Sequence, residues 1–92
     1  MNKAIFLDRD GTIIEDKNYI CFLPESKIFP FSYPAIQLMN KNLFKVFCVT
    51  NQSAIARGIC TKEQVETIHK EIKSELKKKS AFIDKFYYCP YN

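Results

Sequence analysis

The sequence predicts an α/β fold built from three parallel strands and two helices. Three short apolar runs are separated by two segments in which apolar residues recur at helical spacing. The order strand, helix, strand, helix, strand is typical of βαβ units, whose strands are parallel and whose connections are right-handed. The 92 residues are enough for one domain, and because 47% of them are hydrophobic they can form a core.

The first predicted strand is Lys3–Leu7, a continuous apolar run that ends at Asp8. Such a run indicates a strand buried on both faces of a parallel sheet. The polar segment Asp8–Asp16 contains a glycine and predicts a loop at the carboxyl end of this strand. Residues Tyr19–Phe31 mix aromatic residues with prolines, and we interpret them as an irregular segment or a small hairpin flap.

The next helix and strand are predicted from Ser32 onwards. Ser32 is a suitable N-cap. The apolar residues at helical spacing are Ile36, Met39 and Leu43. We expect the helix to end near Asn42, because asparagine tolerates the left-handed geometry common at helix ends. Residues Phe44–Val49 read as a second buried strand, and the polar run Thr50–Ser53 predicts a loop at its carboxyl end.

A longer helix is predicted to begin after Thr61. Thr61 and Gln64 form a capping-box pattern, and the helix should run to about Lys79. Its apolar face consists of Val65, Ile68, Ile72 and Leu76. We interpret His69 as a surface histidine of this helix. The run Lys85–Cys89 predicts the third strand.

The formal net charge is +4, and much of the excess lies at the end of the longer helix. The lysines concerned are Lys73, Lys77, Lys78 and Lys79. Cations at this end of a helix suit its macrodipole and indicate a solvated face. A nucleic-acid surface would combine more basic residues with interleaved aromatic residues, so we expect no nucleic-acid partner.

A cytoplasmic location is expected by default, because no targeting or membrane segment is recognised in the sequence. The N-terminal residues do not read as a signal or transit peptide. No apolar stretch approaches the roughly 20 residues of a membrane span, so we expect no membrane partner. The four cysteines, Cys21, Cys48, Cys60 and Cys89, include no CxxC pair. We expect them to be mostly reduced thiols, as is usual in the cytosol.

Both polar loops follow strands, at the edge of the sheet where ligands bind in open α/β folds. Because consecutive strands are usually neighbours, we expect Asp8 and Thr50 to lie side by side. The spacing of Asp8 and Asp10 turns both carboxylates to the same side of an extended chain. This pair suits phosphoryl transfer, with Asp8 attacking phosphorus and Asp10 protonating the leaving alcohol and then activating water.

The remaining polar residues of the two loops suit phosphate binding. Gly11 permits a tight turn, and Thr12 can form a hydrogen bond within it. Thr50 offers a hydroxyl group and backbone N–H groups to phosphate oxygens. Asn51 is placed to orient either the substrate or Asp10. The whole pattern predicts a phosphatase loop at the carboxyl ends of two adjacent strands.

Two segments carry a resemblance to a known family. Phe6–Thr12 and Val49–Gly58 closely resemble the first two motifs of the haloacid dehalogenase-like (HAD) superfamily, in the branch of heptose bisphosphate and histidinol-phosphate phosphatases. Tyr87–Pro90 resembles the family sequence that enters its zinc loop. The resemblance covers essentially the whole chain, and it implies a Rossmann-like core.

The resemblance also implies roles for individual residues. Asp8 would be the nucleophile and a magnesium ligand, and Asp10 the general acid/base whose backbone carbonyl is a second ligand. The residues implied to contact or surround the substrate are Gly11, Thr12, Thr50, Asn51, Ser53 and Arg57. The substrate implied is a sugar phosphate of the heptose bisphosphate kind or a similar small phosphomonoester.

Several parts of the family pattern are not in this sequence. The family continues to a lysine motif and an acidic motif, so residues 1–92 are expected to form a partial domain, the N-terminal half, with a weakened Mg²⁺ site. The family's zinc loop is Cys-x-His followed by Cys-x-Cys. Cys89 matches its first ligand, but Tyr91 stands where histidine is expected, so we expect no zinc.

Two functional hypotheses follow from these departures. The chain is either a phosphatase with impaired activity, or a non-catalytic remnant or phosphate-binding half of a split phosphatase. In the family the first strand has a neighbour on each side, and one of those neighbours is not encoded here. Lys3–Leu7 should therefore be an exposed apolar edge, which predicts self-association or pairing with a complementing chain.

Overall fold

A computed structural model describes residues 3–17, 19–23 and 27–91. Its elements are β1 (Lys3–Leu7), α1 (Ser32–Lys41), β2 (Phe44–Asn51), α2 (Ser53–Ala56), α3 (Lys62–Lys77) and β3 (Lys85–Cys89). The predicted α/β fold with three parallel strands is confirmed. The short helix α2 is an addition to the two predicted helices. None of the described helices is long and apolar enough to cross a membrane.

The strand register places the predicted site loops next to each other. The strands lie in the order β1-β2-β3, and all are parallel. Leu7 of β1 is paired with Cys48 of β2, so Asp8 follows beside the end of β2. Thr50 is paired with Tyr88 of β3. The loop after β1 and the end of β2 therefore lie at the same edge of the sheet, as the sequence predicted.

Helix α1 ends where predicted, with Asn42 as its C-cap, but the conformations or roles of Ser32 and Asn42 differ from prediction. Ser32 is not the N-cap of α1, a position that Phe31 occupies. Instead, the buried Ser32 hydroxyl donates a hydrogen bond of 2.8 Å to the backbone oxygen of Ile13, which ties α1 to the site loop. Asn42 is not left-handed, with φ of −90°. The left-handed residue is Leu43, with φ of +65°.

The core lies on one face of the sheet. The buried residues Val46, Cys48 and Thr50 alternate along β2 and point to this face. Val46 and Cys48 form one cluster with Ile36 of α1 and Ile68 of α3, so both helices cover the same face. A second, smaller cluster joins Ala54, Cys60 and Val65 beside it. This arrangement follows from two right-handed crossovers that continue in the same direction.

The opposite face of the sheet is apolar and accessible to solvent. Phe6 of β1 is 64% exposed, and its ring stacks on that of Phe47 with centroids 5.3 Å apart. Val49 and Tyr87 are also exposed. The prediction that the first strand is buried on both faces is therefore wrong, because α1 and α3 cover only one face of the sheet.

Two of the four cysteines are bonded, which corrects the prediction of reduced thiols. Cys21 and Cys60 form a disulfide across 39 positions of sequence, with their Cα atoms 5.5 Å apart. Cys48 is a buried free thiol and Cys89 an exposed one. The bond fastens the segment Tyr19–Leu23 to the turn before α3. Part of the predicted flap, residues 24–26, lies outside the described residues.

We expect Cys60→Ser to lower the free energy of unfolding by about 2–4 kcal/mol, because a disulfide that closes a loop of this length restricts the unfolded chain. Urea unfolding of the oxidised protein measures the loss. Cys89→Ser, which removes an exposed free thiol, is the control and should change the free energy by less than about 0.5 kcal/mol. Equal unfolding midpoints for the wild type with and without reductant would contradict the expectation.

Candidate active site

The loop after β1 is a tight turn around one carbonyl group. The backbone oxygen of Arg9 accepts hydrogen bonds from three successive amides. They belong to Thr12, Ile13 and Ile14, with distances of 3.3, 2.9 and 3.1 Å. Gly11 has φ of +81°, a conformation that glycine adopts without steric cost. The turn thereby brings Asp10 back over the end of the sheet.

Arg9 is the buried centre of this loop. Arg9 is only 1% exposed to solvent. Its guanidinium group donates to Asp10 through Nη2 at 2.9 Å and through Nε at 3.2 Å. Its third contact, from Nη1, reaches Nε2 of His69 at 3.2 Å. A buried cation is tolerated only when it is paired and hydrogen-bonded, and Asp10 and His69 together meet that requirement.

Asp10 is held from β2 as well as by Arg9. The Thr50 hydroxyl donates to Asp10 Oδ2 at 3.3 Å, and the Gln52 amide approaches the same oxygen at 3.4 Å. Gln52 also donates to the Thr50 hydroxyl oxygen at 2.8 Å. Asn51 was predicted to orient either the substrate or Asp10. In the structure Gln52 makes that contact and Asn51 is exposed, because alternation along β2 turns Asn51 to the opposite face.

Two cavities open at this edge of the sheet. The first, of about 160 Å³, is lined by residues that include Asp10, Lys17, Asn51 and Ser53, and we call it the Asp10 cavity. The second is lined by residues that include Asp8, Thr50 and Asn51, and we call it the Asp8 hollow. Asn51 lines both. The two aspartates thus line separate cavities that share Asn51 as a lining residue.

Asp8 is exposed at the end of β1, with solvent access to its carboxylate. Gly11, Thr12 and Arg57 are exposed and do not line either cavity. The guanidinium of Arg57 lies over the ring of Tyr19, 5.9 Å from its centroid. Arg57 is therefore connected to the Asp10 cavity through Tyr19, which is one of its lining residues.

His69 is buried, and its interpretation as a surface residue is wrong. It is 5% exposed, and its ring stacks on Phe86 of β3 with centroids 4.5 Å apart and planes 13° apart. Burial, and to a smaller extent the positive charge of Arg9, lower the pKa of His69 to about 4. The imidazole is therefore neutral at neutral pH, as a hydrogen-bond acceptor for Arg9 must be.

Curated relatives cover the whole chain. A protein of Haemophilus influenzae named D-glycero-beta-D-manno-heptose-1,7-bisphosphate 7-phosphatase is 36% identical over 92 residues, which are 100% of this chain and 50% of that protein. A protein of the same name from Escherichia coli (strain K12) is 38% identical over 89 residues, which are 97% of this chain and 47% of that protein. No family model matches the chain.

Solved structures also match the fold of this chain. The D,D-heptose 1,7-bisphosphate phosphatase from B. bronchiseptica, solved with magnesium and phosphate, superposes with a TM-score of 0.90 at 30% identity. The alignment covers 98% of this chain and 51% of that one. The chain is homologous to part of the HAD-like heptose bisphosphate phosphatases. A putative HAD-like phosphatase from Mesorhizobium loti gives a TM-score of 0.92 at 35% identity, over 99% of this chain and 44% of its own.

The homology is confined to part of each HAD-like relative. This chain spans about half the length of the curated relatives named above. Almost the whole of this chain superposes on the B. bronchiseptica protein, since the alignment covers 98% of the chain. The predicted resemblance to a HAD-like core is therefore confirmed for this chain.

The donor set at this edge fits a hard cation in part. Asp8 offers an exposed carboxylate, and Asp10 offers a backbone carbonyl two residues later. Magnesium commonly takes one or two protein carboxylates and completes its coordination with water and substrate phosphate. Within residues 3–17, 19–23 and 27–91, no group of three or more His, Cys, Asp or Glu side chains could hold a metal. The protein ligands are thus few, and a phosphate would have to share the ion.

The depressed pKa of His69 predicts a pH dependence of stability. Between its ordinary value of 6.5 and the folded value of about 4, the unfolded chain binds a proton that the folded chain does not. Stability should therefore fall as pH falls through this window, by about 2 kcal/mol between about pH 7 and about pH 5. Urea unfolding across this range measures it.

The control for this prediction is His69→Gln, which keeps a hydrogen-bond acceptor but cannot titrate. Its free energy of unfolding should change less over the same pH range than that of the wild type. Identical pH dependence in the two proteins would show that His69 is not the titrating group.

Proposed function

We propose that this chain is a phosphomonoester hydrolase of the HAD type that acts on a small sugar phosphate of the heptose bisphosphate kind. Residues 1–92 act as a partial HAD-like domain in this proposal. The observation that carries it is the contact between Asp10 and Thr50 at the end of the sheet, next to the exposed Asp8. The names of the relatives support the substrate class.

The proposed reaction has two steps. A carboxylate oxygen of Asp8 attacks phosphorus, the bond from phosphorus to the sugar oxygen breaks, and Asp10 gives its proton to the leaving oxygen. An aspartyl phosphate and a free alcohol result. Asp10 then takes a proton from a water molecule whose oxygen attacks the same phosphorus, which releases inorganic phosphate and restores Asp8.

Neighbouring groups are proposed to assist by binding the negatively charged phosphate and the rest of the substrate. Thr50 and Asn51 line the Asp8 hollow, which supports their proposed role in binding phosphate oxygens. Ser53 lines the Asp10 cavity, where the rest of the substrate would lie, and Arg57 approaches it through Tyr19. Magnesium, when bound by Asp8 and the Asp10 carbonyl, would neutralise phosphate charge. Gly11 and Thr12 act through the shape of the turn.

The activity of this chain by itself is expected to be impaired. The lysine and acidic motifs of the family are not among its 92 residues. Lys17, which the sequence analysis did not assign to the site, lines the Asp10 cavity rather than the Asp8 hollow. The transferring phosphoryl group would therefore have less positive charge around it. Loss of one such electrostatic partner costs on the order of 10²–10³ in rate.

We expect slow, magnesium-dependent release of phosphate from a small sugar phosphate, and Asp8→Asn should abolish it because an amide cannot act as the nucleophile. Phosphate release with and without EDTA is the measurement. Glu71→Gln, the same chemical change at an exposed position of α3, is the control and should leave the rate unchanged. Turnover that persists in Asp8→Asn would rule out the proposed reaction.

A second candidate is a phosphate-binding module without turnover. The small number of carboxylates at the described site favours it, since a weakly held cation suffices for binding but not for rapid chemistry. Calorimetric titration with inorganic phosphate and magnesium separates the two functions. Binding in the wild type, together with no phosphate release above the Asp8→Asn background, would favour the module.

We also infer that the chain self-associates through β1, or pairs there with a complementing polypeptide. Within the part of the chain that the structure describes, β1 has a strand neighbour on one side only. It presents Phe6 beside this free edge. An unprotected apolar edge strand is a template for further strand pairing.

Sedimentation velocity tests the inferred self-association. We expect a concentration-dependent dimer that Phe6→Glu weakens at least tenfold. The control, Phe82→Glu, changes a similarly exposed phenylalanine outside the strands and should leave the dimer intact. A wild-type chain that stays monomeric at high concentration would contradict self-association and leave the complementing polypeptide as the partner to test by co-purification.

The cytoplasmic location is part of the same proposal. In that compartment thiol reductants act against the Cys21–Cys60 disulfide of the structure, so the state of this pair bears on the proposed location. Fractionation of cells that produce the chain, combined with alkylation of free thiols, reports both the location and the state of this cysteine pair.

A further inference from the structure

The Arg9–Asp10 pair is connected to helix α3 through the side chain of His69. His69 lies in the middle of α3, 60 positions from Arg9 in sequence, and its Nε2 atom is 3.2 Å from Arg9 Nη1. The two groups meet beneath the site, where Arg9 is 1% and His69 is 5% exposed. The chain Asp10, Arg9, His69 thus runs from the candidate active site into the helix layer.

The direction of the Arg9–His69 hydrogen bond follows from chemistry. A guanidinium group has five N–H donors and no acceptor, so His69 Nε2 must be the acceptor. The proton of the neutral ring is then on Nδ1. Stacking on Phe86, together with a tilted contact to Tyr88 at 5.9 Å, fixes the plane in which the Nε2 lone pair points. His69 is therefore a rigid acceptor with a defined direction.

The contacts of Arg9 link the position of the His69 ring to the position of the Asp10 carboxylate. Its Nη1 is engaged by His69, while Nη2 and Nε donate to the Asp10 carboxylate at 2.9 and 3.2 Å. Because the guanidinium is planar, fixing one end of it fixes the direction of the other two donors. Asp10 Oδ2 is then presented to the Thr50 hydroxyl.

We propose that His69 is a positioning residue for the acid/base group Asp10 and that it acts through Arg9. The catalytic part of this statement rests on the proposed phosphatase function. His69 does not touch the substrate spaces, since it lines neither the Asp10 cavity nor the Asp8 hollow. The contribution of His69 is to accept a hydrogen bond from Nη1 of Arg9. Without it the guanidinium turns, and the Asp10 carboxylate moves with it.

Two substitutions separate the acceptor from the packing. His69→Gln retains an acceptor oxygen near the place of Nε2, whereas His69→Leu fills the helix face without an acceptor. We expect kcat for a small sugar phosphate to fall by about 10- to 100-fold in His69→Leu, because misplacement of a reacting group by about 1 Å costs up to 10²-fold. KM should stay within about threefold, and His69→Gln should keep kcat within about threefold of wild type.

Phe86→Leu is the packing control. It removes the stacking partner of His69 but keeps the imidazole, whose Nε2 atom can still accept a hydrogen bond from Arg9. We expect it to lower the thermal midpoint without a tenfold loss of kcat. The proposal is overturned if Phe86→Leu and His69→Leu lower kcat equally at equal loss of stability, or if His69→Gln is as slow as His69→Leu. Should His69→Leu fail to fold, His69→Asn, whose amide is one methylene shorter, takes its place.

A second readout does not depend on turnover. The Nε–H group of Arg9 is buried and bound to Asp10, so its exchange with solvent, followed by ¹⁵N NMR, should be slow in the wild type and in His69→Gln. We expect exchange at least tenfold faster in His69→Leu. If the wild type shows no turnover that Asp8→Asn abolishes, the proposed function fails, and the NMR result still decides the positioning role. Unchanged exchange in His69→Leu would overturn it.

Discussion

A buried positive charge organises this end of the molecule. The Arg9 guanidinium is almost fully withdrawn from water, and such a group is stable only if each of its sides meets a partner. Asp10 supplies the negative charge, and His69 supplies a neutral acceptor. These two requirements tie the loop after β1 to α3. The contact between Asp10 and Thr50 then joins the same loop to β2. The site is thus assembled from three separate elements around one cation.

The one-sided packing of the sheet is the second constraint. Both crossovers put their helices on the same face, so α1 and α3 share one core with the sheet. The other face keeps the stacked rings of Phe6 and Phe47 in contact with solvent. A three-stranded sheet covered on one side can form a stable layer, but its bare side is a large apolar surface for a chain of this size. The candidate active site lies at the carboxyl ends of the strands, where these two faces meet.

The sequence predicted those parts of the fold that depend on local patterns. All three strands were predicted, because short apolar runs between helical segments identify parallel strands. The capping box at Thr61 is also present in the structure, with both reciprocal hydrogen bonds, because its residues lie within one turn of each other. The pair Asp8 and Thr50 was placed at one sheet edge by topology alone, and the register agrees.

The predictions that failed concern features that tertiary contacts determine. The partner of Cys21 depends on how residues 19–23 fold back, which no local pattern encodes. The burial of His69 did have a signal, since it lies four residues after Val65 and three before Ile72, in line with the apolar face. Gln52 was missed because β2 was expected to end at Val49. Continued alternation would have put Gln52 on the same face as Thr50.

The central claim is that this edge of the sheet transfers phosphoryl groups to Asp8. The most direct measurement is peptide mapping by mass spectrometry after the chain is mixed with magnesium and a small sugar phosphate and quenched rapidly in acid. The account predicts one added phosphoryl group, on the peptide that contains Asp8, and none in Asp8→Asn. Phosphoryl groups on another residue, or on no residue, would contradict it.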